Sequence, residues 1–486
     1  MGHRLSAEDR RRLLHMERGT AGLNRRQFLT LAGLALGGAA CSPGPYAMPI
    51  LRRGDDDTPM PSMKAKGLYE RDVSAYLPEG LTGRYFFGGG YMGREGIEPQ
   101  SILVELDANR GVVRRSAYTY DIDEGKPLTR LAGADAVELL EVVRRIAGRI
   151  HKVAPVPERN ELYLFPVSGA PAVVDATTLE LVSSFGERSF FADNFCAHPL
   201  YVPEEQAMYY TRMDVLANLS ASLDGTPERY THALIRRDLR TQAETVLIEG
   251  LQGAIVHEVA RSRDGRVGVI VFTGDGIRAP FGRAGDRAQI ARKGQLTAQH
   301  SRILLFDWES ARPFADIPCA AVPVHVAFEP IADSGRCEHL FVQCVNTTFV
   351  DNPPGWYGTG AYQKISLIEG SAGIVQRYDD PTFCNVPHSL RMSDKGDMLL
   401  STNAESHCIL ALDPRNMEQI ASVPFEPMVG SHDKSPRGIE QSVDGRFLII
   451  SSNTSLHFFD MVKRAWVGRP IGVTIGERHA HTSRAA

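Results

Sequence analysis

Five histidines stand at matching points of a repeated pattern. His151, His198, His257, His325 and His388 each open a short apolar stretch that has the character of a strand. Neutral imidazole is the commonest protein ligand for transition metals and suits iron, copper and zinc alike. Burying imidazoles without partners costs about 1–3 kcal/mol each, so a converging set needs a metal, a carboxylate or water to satisfy it. No Cys-x-x-Cys pair and no Cys-x-x-Cys-His haem attachment sequence occurs, which sets aside soft thiolate and c-type haem sites. His479 and His481 are two apart near the chain end and would share one face of a strand, so either can supply a sixth imidazole. Counting back from Asp444-Gly445 puts Arg437 at the seventh point, with Glu440 as the other candidate. His300, His339, His407 and His432 fall off the repeat and are expected at the surface or in turns.

The elements that must position these groups are legible in the repeat. Each unit opens on its histidine strand, turns, often at Asp-Gly, and continues in a β-branched or aromatic strand. A third strand ending in Asp, a turn and a last strand complete it. The unit that begins at His257 passes through Asp264-Gly265 to VGVIVFTG and then RILLFDWESARPFADI. Six such units recur with a period of roughly 50–65 residues, the range of propeller blades. Residues 83–120 supply the outer strands of a seventh, whose inner strand is the C-terminal ERHAHTSR, closing the circle. The expected fold is therefore all-β, a seven-bladed β-propeller over residues 65–486. The first strand of a blade faces the central axis, so the histidines converge there. Ala136, Val137, Leu139, Leu140, Val143 and Ile146 follow helical spacing, which predicts one helical insertion at 131–149. Two long insertions, 276–299 and 350–362, are the size of functional loops. The second carries Pro353, Pro354, Trp356 and Tyr357, and Trp356 and Tyr357 are expected to line the route of an unsaturated or aromatic substrate.

The chain has 486 residues, 43% hydrophobic and 23% charged, with a formal net charge of -4. That is globular composition without the basic footprint of a nucleic-acid binder. Near the N-terminus Arg25-Arg26-Gln27-Phe28-Leu29 precedes an apolar run ending at Ala40, about half the length that spans a bilayer. A twin arginine before a short apolar run is a Tat export address, which makes the Tat translocase a transient partner and the periplasm or cell envelope the destination. The alternative is a basic segment before a core helix. Cys41 follows Gly38-Ala39-Ala40 and resembles a lipoprotein processing site, so residues 1–41 end either at a soluble or at a lipid-anchored mature terminus. The Pro-rich, charged segment 42–64 is a tether. Six cysteines remain, Cys196, Cys319, Cys337, Cys344, Cys384 and Cys408, and spacing alone specifies no pairing.

Several ordered motifs resemble the carotenoid-cleaving oxygenase family, which includes the stilbene cleavers. Phe195-Cys196-Ala197-His198-Pro199 is similar to that family's Ala-His-Pro ligand motif. It follows Val173-Val174-Asp175-Ala176-Thr177-Thr178-Leu179-Glu180, similar to the family's Asp-x-x-Thr-Leu-Glu turn. Val256-His257-Glu258 resembles Met-His-Asp, and His325 with Glu329 resembles a shortened Phe-His-x-x-Asn-Ala-Tyr-Glu. The stretch from Gly476 to His481 sits where the family places Phe-His-Gly, and Leu77 to Gly83 resembles its opening Pro-x-x-Leu-x-Gly. The resemblance implies a seven-bladed propeller with one Fe(II) on four histidines from four blades. Carried onto this chain, the ligands would be His198, His257, His325 and one of His479 and His481. The family supports its ligands with glutamates, and here two of those places hold His151 and His388, with Glu440 at the third; Phe87-Gly88-Gly89-Gly90 stands where the family has Arg-Asn-Gly-Pro. Val386-Pro387-His388 and Arg437-Gly438 also resemble surface-layer-type propeller repeats, in which the histidine bonds its neighbouring blade. In ligand count the hub resembles the copper-cluster propeller of nitrous oxide reductase.

These readings converge on an exported, metal-dependent oxidoreductase of oxygenase type, with Fe(II) as cofactor and an unsaturated or aromatic small molecule as substrate. His151, His388, Glu440 and Arg437 would orient the ligands or extend the hub. Two alternatives stay open: a copper oxidase or lyase on the same hub, and a non-enzymatic envelope propeller that serves as a binding platform.

Overall fold

The structure, a computed structural model, describes residues 62–484 apart from 92–99, 122–149, 167–170, 185–192, 197, 215–230, 253–255, 274–300, 320–321, 346–359, 381, 385–386, 405, 426–434 and 476–480. Seven antiparallel sheets form a seven-bladed β-propeller. Blade 1 joins the first and last described strands: His481–Arg484 lies innermost, followed outward by Arg84–Tyr91, Gln100–Asp107, Val112–Asp121 and, as a fifth strand, Ser62–Asp72. The expected closure of the circle by the C-terminus is thus present, with Gly88 paired to His481 and Tyr85 to Arg484. Ser62–Asp72 begins three residues inside the segment expected as a tether. Blades 2 to 7 begin on the inner strands Ile150–Val156, Asp193–Phe195 with Leu200–Val202, Val256–Arg261, Val322–Phe328, Pro387–Met392 and Ile439–Gln441. Among the described residues the only helical pieces are three 3₁₀ turns. The expected helical insertion at 131–149, the export signal and Cys41 lie outside the described residues.

Two turns account for the repeat. Between the first and second strands, blades 4, 6 and 7 use the same device. Ser262, Ser393 and Ser442 each accept the amide of a glycine three residues on, at 2.8–2.9 Å. Their hydroxyls accept the amides of Val267, Met398 and Phe447. Gly265, Gly396 and Gly445 have φ of +72° to +74°, a conformation that glycine adopts without steric cost. Between the third and fourth strands, Asp107, Asp175, Asp238, Asp307, Asp413 and Asp460 accept amides two or three residues on. The chain then passes through a left-handed residue: Gly111, Leu179, Gln242, Ala311, Met417 or Arg464. The strand-ending aspartates are therefore turn caps, which is why they recur.

Apolar clusters fill every gap between blades. One spans blades 2, 3 and 4, and others join 4 to 5, 5 to 6, 6 to 7, 7 to 1 and 1 to 2. The closing blade is held from both sides. Phe87 packs in the cluster shared with blade 7, and Phe86 in the one shared with blade 2. Gly88 must be small, because a Cβ there would lie 2.5 Å from Ile150 of blade 2. Phe87→Ala is expected to cost about 3–5 kcal/mol, measured as the shift in a denaturant unfolding curve; a cost below about 1 kcal/mol would show that this seam does not hold the circle.

Candidate metal centre

The inner strands break their pairing at the histidines. In blade 2 Ile150 faces Pro166 and Lys152 faces Phe165, leaving His151 as the extra residue. In blade 4 Val256 and Glu258 face Phe272 and Val271, leaving His257. His388 is the extra residue in blade 6, and in blade 5 it is Val324, just before His325. Blade 3 breaks more widely: Phe195 faces Arg212 and Leu200 faces Tyr209, so residues 196–199 stand opposite two. There His198 bridges to blade 4 instead, its amide donating to the His257 carbonyl at 2.8 Å and its carbonyl accepting from Val259 at 3.0 Å. A β-bulge bends its strand and re-aims a side chain. Here it lets two successive residues, such as His257 and Glu258, both reach the axis.

The result is a packed group of four buried imidazoles from blades 2, 3, 4 and 5. His151 Nε2 and His257 Nε2 are 3.2 Å apart. Blades 2 and 4 are not neighbours, so this contact is only possible at the axis. The His198 ring lies 4.8, 4.9 and 4.6 Å from those of His151, His257 and His325, and His257 lies 4.9 Å from His325. Two imidazole nitrogens on one tetrahedral ion, each at ~2.05 Å, stand ~3.3 Å apart, so the His151–His257 spacing fits a shared metal. At the hub, ligand atoms fall into two sets within 4.8 Å of one another: nitrogens of His151, His198 and His257, and nitrogens of His198 and His325 with a carboxylate oxygen of Glu258.

Electrostatics keeps the group in its ligating form. Burial pushes His257 and His325 down to about 3, helped by His325 in the first case and Lys152 in the second. Burial and the neighbouring imidazoles hold His198 well below the usual histidine range. All three are neutral at neutral pH. The backbone carbonyls of Val324 and His388, each on the next blade, act on His257 and His325 in the opposite sense. Such carbonyl partners orient a ligating imidazole.

Glu258 and Lys152 belong to this site although the histidine pattern alone does not disclose them. Glu258 Oε2 lies 3.4 Å from His325 Nδ1 and accepts the Val326 amide at 3.2 Å. Burial raises its carboxyl to about 7, against the pull of His257 and Lys152. Lys152, partly buried, is pushed down by burial and supported by Glu258. The available signal was a second polar residue directly after the histidine in an otherwise apolar strand, His151-Lys152 and His257-Glu258.

The other expected hub residues fall elsewhere or beyond view. His388 is buried and offers its carbonyl to His325, but it is in neither donor set. Glu440 forms an ion pair with Arg391 of blade 6 and accepts the Gln441 amide. Arg437 is buried beside it, its amide donating to the Ser451 carbonyl at 2.7 Å and its carbonyl accepting from Thr402. His481 lies in the closing strand. His479, Trp356 and Tyr357 lie outside the described residues, and Tyr362, expected at the end of the second insertion, is a buried residue of the strand Ala361–Ser366. His339 pairs with Glu329 at 2.8 Å and His407 sits in a left-handed turn, while His300 and His432 are not described. His232 and His457 are core histidines inside their blades, the second bonded to Ser455. The six cysteines are buried free thiols.

No family model matches the chain, and no curated protein matches it. Among solved structures, hydrazine synthase of Kuenenia stuttgartiensis is similar over 65% of this chain and 77% of its own, at 12% identity and a TM-score of 0.44. The dihydro-haem d1 dehydrogenase NirN in complex with DHE is similar over 91% and 79%, at 13% identity and a TM-score of 0.45. A putative 6-phosphogluconolactonase from Bacteroides fragilis is similar over 84% and 100%, at 10% identity and 0.47. Similarities this distant bear on no activity.

The Arg391–Glu440 pair yields a direct test of where Glu440 points. Removing one partner of a buried pair strands the other charge, at about 3–5 kcal/mol. Arg391→Met is expected to destabilise by that order, and Arg391→Met with Glu440→Gln to recover most of it, in a double-mutant unfolding cycle. Additive losses would mean that Glu440 is held by something other than Arg391.

Proposed function

We propose that this protein is an exported, metal-dependent oxidoreductase of oxygenase type, acting on an unsaturated or aromatic small molecule at the propeller hub. The observation that carries the reading is the meeting of four buried imidazoles from four blades, two of them 3.2 Å apart at Nε2. Such a cluster is the donor set that iron and copper favour. We assign Fe(II), with copper as the alternative. The resemblance to the carotenoid-cleaving oxygenases supports a four-histidine centre on this fold. Among the described residues the fourth imidazole is His151, while His479 lies outside them.

The metal, when bound, supplies the redox couple and the open positions for dioxygen and substrate. The chain's own residues do the rest. Burial excludes water from the imidazoles, and the carbonyls of Val324 and His388 fix the rings of His257 and His325. Glu258, held by the Val326 amide, stands beside His325 as a proton acceptor. Trp356 and Tyr357 are assigned to the substrate's approach. The twin arginine at Arg25-Arg26 is assigned to export into the periplasm or cell envelope, with lipidation at Cys41 as an optional anchor.

The test begins with elemental analysis of the exported protein, purified without added metal, and cleavage assays on stilbenes and polyenes. His198→Ala, shown folded by circular dichroism, is expected to bind metal at least tenfold more weakly and to lose activity in step. Copper in place of iron would move the reading to the copper oxidase. A His198→Ala protein that is fully metallated and active, or a wild type that takes up neither ion, would overturn it in favour of a binding platform.

A further inference from the structure

The donors at the hub do not resolve into a single set. Ligand atoms of His151, His198 and His257 lie within 4.8 Å of one another, and so do those of His198, His325 and Glu258; only His198 is in both sets. The chemistry of the two differs. Three imidazoles form an all-nitrogen position that suits copper, zinc or iron, whereas two histidines and one carboxylate are the donor set of non-haem Fe(II) with open positions. Both sets are built in advance. Glu258 is fixed by the Val326 amide at 3.2 Å, His325 by the carbonyl of His388, and His198 by its backbone bridge to His257 and Val259.

We infer that the hub holds two adjoining metal positions, one on His151, His198 and His257 and one on His198, His325 and Glu258. This rests on the hub being a metal centre and goes beyond it in number and donor type. An imidazole carries ring nitrogens on two edges, so His198 can serve both positions once its N–H proton is released to solvent. Lys152 is the group that competes. Its positive charge acts on His198, His325 and Glu258. Glu258 follows His257 directly in sequence, and the bulge at His257 is what lets the two neighbours donate to different positions.

The experiment uses the full-length protein, stripped of metal and loaded anaerobically with Fe(II) alone or, separately, with Cu(II) alone. Metal per chain is counted by elemental analysis after gel filtration. Wild type is expected to hold two ions, and His151→Ala and Glu258→Gln one each, all with unchanged circular dichroism. The doubly copper-loaded wild type is expected to show dipolar-coupled electron paramagnetic resonance that both variants lose. Should Glu258→Gln fail to fold, Lys152→Met provides the second test: removing the competing cation is expected to tighten the second ion about tenfold, the order of one unit charge acting across a few ångströms. Saturation of wild type at one ion would overturn the second position and leave the metal-centre reading standing. Two ions in Glu258→Gln, or unchanged second-ion affinity in Lys152→Met, would also overturn it. Failure to bind either ion would overturn both readings.

Discussion

A propeller blade has two apolar faces, and neither outer face of a row of blades is buried until the last blade meets the first. Everything at the hub depends on that meeting. The four imidazoles come from blades 2 to 5, and His151 touches His257 across an intervening blade. An open row would splay them apart and let water in. Closure is made within one sheet, with His481–Arg484 inside and Ser62–Asp72 outside. Arg484 adds a polar lock. It donates to the carbonyls of Gln441 and Ser442 and pairs with Asp394, tying the closing strand to the first turns of blades 7 and 6.

Closure alone would give an axis lined by alternate residues of regular strands. The bulges change that. In a strict period-2 strand His257 and Glu258 would point to opposite faces. The extra residue in blades 2, 4, 5 and 6 and the wide break in blade 3 bring polar groups to the axis while the apolar alternation continues outward. The second strands carry the polar backing for this distortion. Gln343, which faces His325 in the pairing, donates to the Ser389 carbonyl and to Ser401, and Tyr362 bonds Ser401 and Asn403. The site is therefore embedded in a hydrogen-bonded layer rather than in hydrocarbon alone.

The fold was legible because its signals are local. The Asp caps, the Ser-to-Gly turns and the alternating apolar strands each act within a few residues, and they recur often enough to fix the number of blades. The histidines were legible as a set for the same reason. What separates His151 from His388 is not local. Their strands bulge at the same point, yet one imidazole lies against His257 and the other enters neither donor set, a difference decided by position around the axis. Glu440 shows the same limit. It looked like a support for a ligand, but Arg391 sits across the blade seam and takes its charge. Glu258 was written beside His257 all along, and only the bulge reveals that both face inward.

The hub is consequently two-sided. Blades 2 to 5 contribute imidazoles with Glu258 and Lys152, whereas blades 6, 7 and 1 contribute the ion pairs of Arg391 with Glu440 and Asp394, and of Arg484 with Asp394. On the first side His198, His257 and His325 are held neutral; on the second the charges pair with one another. A cation therefore gains most on the imidazole side, where the Glu258 carboxylate stands beside His325. The electrostatic influence of Arg391 on Lys152 links the two sides. It disfavours the charged ammonium, adding to burial, which is the larger cause.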